Sequence, residues 1–128
     1  MLEMALLSPW VLMLFIGALD WGFYAYGLIS MQAAARSAAL YTRTSLTAAV
    51  DTAGACDIVR GEMKNVPNVS GLTGCSGTPL NVTASLVTGP DGANAAQVTV
   101  TYQSVSMIPL PGMLTKQFTI TRSVTMRI

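Results

Sequence analysis

Few side chains in this 128-residue chain could do chemistry, and their types narrow what that chemistry could be. There is no histidine, which excludes a Ser-His-Asp relay, a Cys-His pair and any His-ligated metal. Two cysteines, Cys56 and Cys75, cannot close a four-thiolate zinc site. Neither GxxxxGK nor GxGxxG occurs to cradle a phosphate. An enzyme is therefore not expected: no catalytic residue, metal ligand, cofactor or small-molecule substrate is assigned. Seven basic residues stand against six acidic ones, too even a balance to hold a phosphate backbone, so no nucleic-acid partner is expected. What remains is one pair of cysteines and two acids, Glu3 and Asp20, set in or beside the most apolar part of the chain.

That apolar part dominates the composition. Hydrophobic residues make up 52% and charged residues 10%, where a soluble domain has about a quarter charged, and mean hydropathy is +0.51. Met4 to Leu19 reads MALLSPWVLMLFIGAL without a charge, and after Asp20 the apolar run continues to Met31. This matches the roughly 20 residues that cross a bilayer core. It lacks the basic start of a cleavable secretory signal. It also lacks the Lys or Arg that usually flanks a membrane helix on its cytoplasmic side, so a basic leader removed from upstream is expected.

Helical character continues through the alanine-rich stretch from Gln32 to Val50, and the first stop signal is Gly54. The expectation is one helix over about residues 2–53, roughly 75 Å long. Its lower half is apolar all round and its upper half amphipathic. Leu40, Leu46 and Val50 would face a small domain, with Arg36, Arg43 and Asp51 left to solvent. Pro9 should kink or open the helix within about a turn, with Gly17 or Gly22 as the alternative break.

Beyond Gly54 the pattern changes. Cys56 to Pro79 is punctuated by glycine and proline and reads as irregular. Val82, Ala84 and Leu86 then alternate with Thr83 and Ser85. Gly89-Pro-Asp-Gly92 signals a turn. Val98, Val100 and Tyr102 alternate with Thr99 and Thr101, and Pro109 to Gly112 breaks the chain again. Phe118, Ile120, Val124 and Met126 alternate with Thr119, Thr121, Ser123 and Thr125, leaving Arg122 as a misfit on the apolar side. Three such runs predict an antiparallel meander with one buried face. Its only cover would be the amphipathic half of the helix. The expected fold is α+β, a lollipop. Residues 1–53 are a long helix with a projecting apolar stem, and 54–128 are a head of disulfide-containing loop and small antiparallel sheet.

Three segments carry a family resemblance: Glu3-Met-Ala-Leu-Leu-Ser-Pro9, Gly17-Ala-Leu-Asp-Trp-Gly22 and Ala33-Ala-Ala-Arg36. In their order and spacing they resemble the type IV pilins, and more closely the TadE-like branch of tight-adherence pilus systems; the end of the chain, from Val98 to Arg127, resembles that family loosely. The resemblance implies a pilin, the structural subunit of an extracellular filament on the cell surface. Such a subunit is made with a leader, held in the inner membrane by its first helix, clipped, and extruded into a fibre. Its partners would be copies of itself, with the membrane and the assembly machinery before assembly. Two alternatives stay open, a minor pseudopilin that initiates or caps assembly and a membrane-anchored monomeric binding module.

The resemblance also implies assembly roles for Glu3, Pro9 and Asp20. In typical pilins the acid is the fifth residue, and here it is the third. Glu3 is either that assembly residue, facing an α-ammonium freed by cleavage, or an acid favoured in any first helical turn. Asp20 either pairs with Arg36 or Arg43 of a neighbour or lies at the membrane surface among Trp21, Tyr24 and Tyr26. Cys56 and Cys75 allow one pairing, which would oxidise in an exported protein; two free buried thiols are the alternative.

Overall fold

A computed structural model of the chain describes residues 2–105 and 117–128, with side chains from residue 5 onward. The order is helix α1 (Leu2–Thr42), a 3-10 turn (Ala48–Val50), helix α2 (Thr52–Glu62), then strands β1 (Leu80–Thr88), β2 (Asn94–Gln103) and β3 (Thr119–Arg127). The strands form one antiparallel sheet in the order β1-β2-β3, the meander that the period-two alternation predicts. The β1–β2 turn is closed by the Gly92 amide donating to the Gly89 carbonyl at 3.0 Å. Gly92 sits there at φ +77°, a conformation glycine adopts without penalty. The break expected at Pro109 to Gly112 lies outside the described residues.

Alternation sorts the sheet into two faces. Val82, Val98 and Val100 point inward and are buried, with Val98 opposite Val124 and Tyr102 opposite Ile120. The other face carries hydroxyls that meet across strands, Thr99 to Ser123 at 3.4 Å and Thr101 to Thr121 at 3.2 Å. Arg122 lies opposite Val100, on the inward row of an edge strand yet exposed. An inward charge on an edge strand is a known guard against unwanted strand pairing.

The cover of the inner face is α1, as expected, but a different stripe does the packing. Met31, Ala34, Ala35, Ala38 and Ala39 are fully buried, whereas Leu40, Leu46 and Val50 are about half exposed. The buried set follows the i, i+3, i+4, i+7, i+8 rule of one helical face. Its small side chains let the helix approach closely, and larger residues from α2 and the sheet (Val59, Met63, Val98, Val100) fill the space around them.

Three local expectations are corrected. The helix ends at Thr42 rather than near 53. Hydroxyl side chains there compete for the backbone: Thr42 Oγ1 donates to the Ala39 carbonyl at 3.1 Å, Thr44 Oγ1 to the Tyr41 carbonyl at 2.8 Å, and Ser45 Oγ accepts from the Ala48 amide at 3.1 Å. A second helix, α2, then occupies the start of the stretch read as irregular, with Gly54 inside it. The helix also runs uninterrupted through Pro9, Gly17 and Gly22. Proline removes one donor and crowds one turn, and the amides on either side keep the helix continuous.

Asp51 starts α2 and ties it back to α1. Its Oδ1 accepts from the Gly54 amide at 3.0 Å and its Oδ2 from the Tyr41 hydroxyl at 2.7 Å, the work of an N-cap. The Gly54 amide first, and then the Tyr41 hydroxyl, hold the Asp51 carboxyl below its ordinary range. A lowered folded value means this contribution is present above the unfolded value near 3.9 and is lost as pH falls through the folded one. The melting temperature of the head should therefore fall as pH drops below about 4, and less so in Asp51→Asn, which caps without titrating. Equal acid slopes for the two proteins would remove this role. A Cβ at Gly54 would collide with the Asp51 carboxylate and stand 2.7 Å from the Tyr41 hydroxyl, so Gly54→Ala should break the same tie.

Candidate assembly surface

Below the head, α1 has nothing of its own to bury against. Leu6, Trp10 and Leu14 are 72%, 68% and 74% exposed, and every residue from 5 to 12 is exposed on whichever side it falls. Water is a poor solvent for such a surface, at about 25 cal/mol for each Å² of apolar area left wet. Among the described residues α1 is the one helix long and apolar enough to cross a membrane, over Ala5–Thr42. The stem therefore requires lipid or other helices around it, and the alanine stripe above fastens it to the head without a linker.

At the stem–head junction the packing is specific. A Cβ at Gly27 would stand 3.2 Å from Tyr102 Cε1, so glycine lets the ring of β2 lie against α1. The Tyr102 hydroxyl donates to Asn68 Oδ1 at 2.8 Å, and Asn68 Nδ2 donates to the Gln103 carbonyl. Burial pushes the Tyr102 phenol above its ordinary value, with the Asn68 hydrogen bond acting against it. One turn lower, Tyr24 meets Phe118 edge-on with ring centroids 5.6 Å apart and Trp21 at 5.9 Å.

The three proposed assembly residues are strung along this one helix and do not converge. Glu3 is in the first turn of α1, and its side chain lies outside the described residues. Pro9 is exposed on the stem, about 16 Å along the axis from Asp20. Asp20 is only 6% exposed within the chain, whereas Trp21 and Tyr26 near it are exposed. It falls on the face of α1 that continues through Tyr24, Gly27 and Met31 toward the sheet. Its Oδ2 is buried with no hydrogen-bond partner.

Cys56 and Cys75 are joined, Cα to Cα 5.7 Å. The bond pins the first part of α2 to the loop before β1, and Arg60 Nη1 donates to the Thr73 carbonyl at 3.1 Å in the same loop. Among the described residues no group of three or more His, Cys, Asp or Glu side chains could hold a metal.

With that geometry described, similarity to known proteins falls on the stem. Residues 1–40 match the family model of the TadE-like proteins. The TadE-like segment thus contains Glu3, Pro9, Asp20 and the whole unsupported length of α1, and stops just before the helix ends. Comparison with curated proteins and with solved structures found no match. Family likeness and the apolar surface that needs partners therefore coincide in one element, and the sheet head lies beyond the matched residues.

Proposed function

We propose that this chain is a pilin-like subunit of a tight-adherence pilus, anchored in the membrane through α1 and then packed with copies of itself through the same helix. The role is structural, with no catalytic step. One observation carries the reading: the TadE-like segment is the part of the chain whose apolar side chains are exposed all round while its upper turns are locked into the head. A helix leaving the membrane for a filament core exchanges lipid for neighbouring helices and keeps its apolar surface dry in both.

Electron microscopy of material sheared from cells that express the chain with its pilus system tests this. Uniform fibres that contain the chain along their length support it. A chain found only at fibre ends supports the initiating or capping role, and isolated particles in detergent support the membrane-anchored binding module. In the same assay Glu3→Ala should leave membrane insertion intact and cut fibre yield by about tenfold or more, since an uncompensated carboxylate among apolar stems costs several kcal/mol and so must serve a contact. Fibres of that variant in wild-type number would make Glu3 an ordinary first-turn acid.

A further inference from the structure

Asp20 is nine-tenths buried and its Oδ2 has no hydrogen-bond partner, and α1 also holds a cation with no ion pair among the described residues. Arg36 is exposed. The ion pairs among the described residues are Arg60–Asp57 and Arg127–Asp91, so neither Asp20 nor Arg36 has a charged partner there. Within one chain they cannot meet, because sixteen residues of helix separate them by about 24 Å along the axis. The same sixteen residues, at about 100° each, set them about 160° apart around it. One copy thus offers its acid on one side and its arginine on nearly the opposite side, at different heights.

We infer that Asp20 of one copy receives Arg36 of a second copy of this chain, displaced by sixteen helical residues along parallel stems. This rests on the subunit reading above and adds its register. The Arg36 side of the helix suits the contact: Gly22, Ala25, Ile29, Ala33 and Leu40 line it with Arg36, and all are exposed. Gly22, Ala25 and Ala33 are small enough to let a neighbouring helix approach closely. The head sits on the other side of α1, so the stripe is unobstructed by it. A Cβ at Gly17, one turn below Asp20, would meet nothing within 4 Å, so a neighbouring helix has room against α1 just below the acid, and the arginine side chain reaches the carboxylate from there. With the stagger, the upper half of the lower copy lies alongside the stem of the upper copy, beneath its head. Acid and arginine on opposite sides make the contact heterologous, so each subunit leaves one of each unused at the ends and the contact repeats into an open filament. A carboxylate already shielded from water and given a guanidinium forms a charge-assisted bond. Deprived of it, the carboxylate stays buried and uncompensated, which ties solvation of this acid to the seating of the next subunit.

Charge exchange tests the pairing. Asp20→Arg and Arg36→Asp should each lower filament yield by about tenfold or more, and the two together in one chain should restore most of it, because every interface then has the pair reversed. Since Asp20→Arg could also disturb the head, a second measurement leaves both charges in place. Chains carrying Gly17→Cys and chains carrying Ala33→Cys, co-expressed and treated with a short bis-thiol reagent, should give a cross-linked dimer, because the same sixteen-residue stagger brings those positions together. Gly17→Cys with Leu40→Cys, two turns out of register, should give about tenfold less. Wild-type filaments with no 17–33 cross-link, or a double exchange that rescues nothing while that cross-link is absent, would overturn the register alone. A wild-type chain that forms no filament at all would overturn both this inference and the subunit reading.

Discussion

Replacing Cys56 and Cys75 together by alanine should destabilise the head by about 3 kcal/mol, the loop-closure value for a ring of this length. The two cysteines are 19 residues apart in sequence, and the segment between them contains Pro67 and three glycines, an arrangement with large freedom when unfolded. In the folded state that segment supplies buried Met63, Val66 and Val69 to the core. At about 4–8 °C per kcal/mol for a domain of 60–100 residues, the melting temperature should fall by roughly 10–25 °C. Near-ultraviolet circular dichroism of the full chain in mild detergent measures it. A shift under about 3 °C would mean that packing alone holds the loop. Alkylation of the wild-type protein without reductant, followed by intact-mass analysis, should label neither cysteine.

Met31→Ala should cost about 2–5 kcal/mol, the range for emptying a large core site that cannot collapse. Met31 is among the largest fully buried side chains and belongs to the single core shared by α1, α2 and the sheet. Its buried neighbours on the helix, Gly27, Ala34 and Ala35, have no side chain long enough to reach into the vacated volume, so relaxation should be slight and the loss nearer the upper end. Leu40→Ala is the matched control. Leu40 is larger than any of those alanines but is 51% exposed, and its loss should change stability by about 0.5 kcal/mol or less. If Leu40→Ala proved the more damaging of the two in urea melts, the stripe by which α1 meets the sheet would be misassigned.

That pair of substitutions marks where local pattern stops being informative. Period-two alternation made all three strands and the turn at Gly89 to Gly92 legible, because the pleat itself imposes that period. The apolar stem was legible because lipid and helix cores demand the same long run. The packing stripe was not. Hydropathy favours Leu40, Leu46 and Val50 over Ala34 and Ala38, yet the close approach of helix to sheet selects the smaller residues, and only the partner surface reveals that. The end of α1 at Thr42 followed from hydroxyls at 42, 44 and 45 bonding to nearby backbone groups, while their neighbours read as continuing helix. Asp51 followed by Gly54 carried a capping signal for α2, masked by the alanine-rich run before it. The cysteine count left one possible pairing, and its oxidation followed only if the protein is exported, with two free thiols as the alternative. Asp20 could be singled out as an anomaly from sequence, but no residue type or spacing around it announced that its side chain is buried.

The uninterrupted passage of α1 from stem into head also determines how the molecule handles force. Where many domains hang from a loose tether, here the same hydrogen-bonded rod is both the projecting stem and the central element of the folded domain. A sideways pull on the head is therefore transmitted as torque to the base of the stem, with no slack to absorb it. A pull along the axis loads the helix end-on and must slide the whole alanine stripe out from under the sheet before the head comes free. The disulfide lies off that line, bracing the loop beside the rod. Under tension such a chain should yield in shear between helix and sheet while its looped flank stays closed.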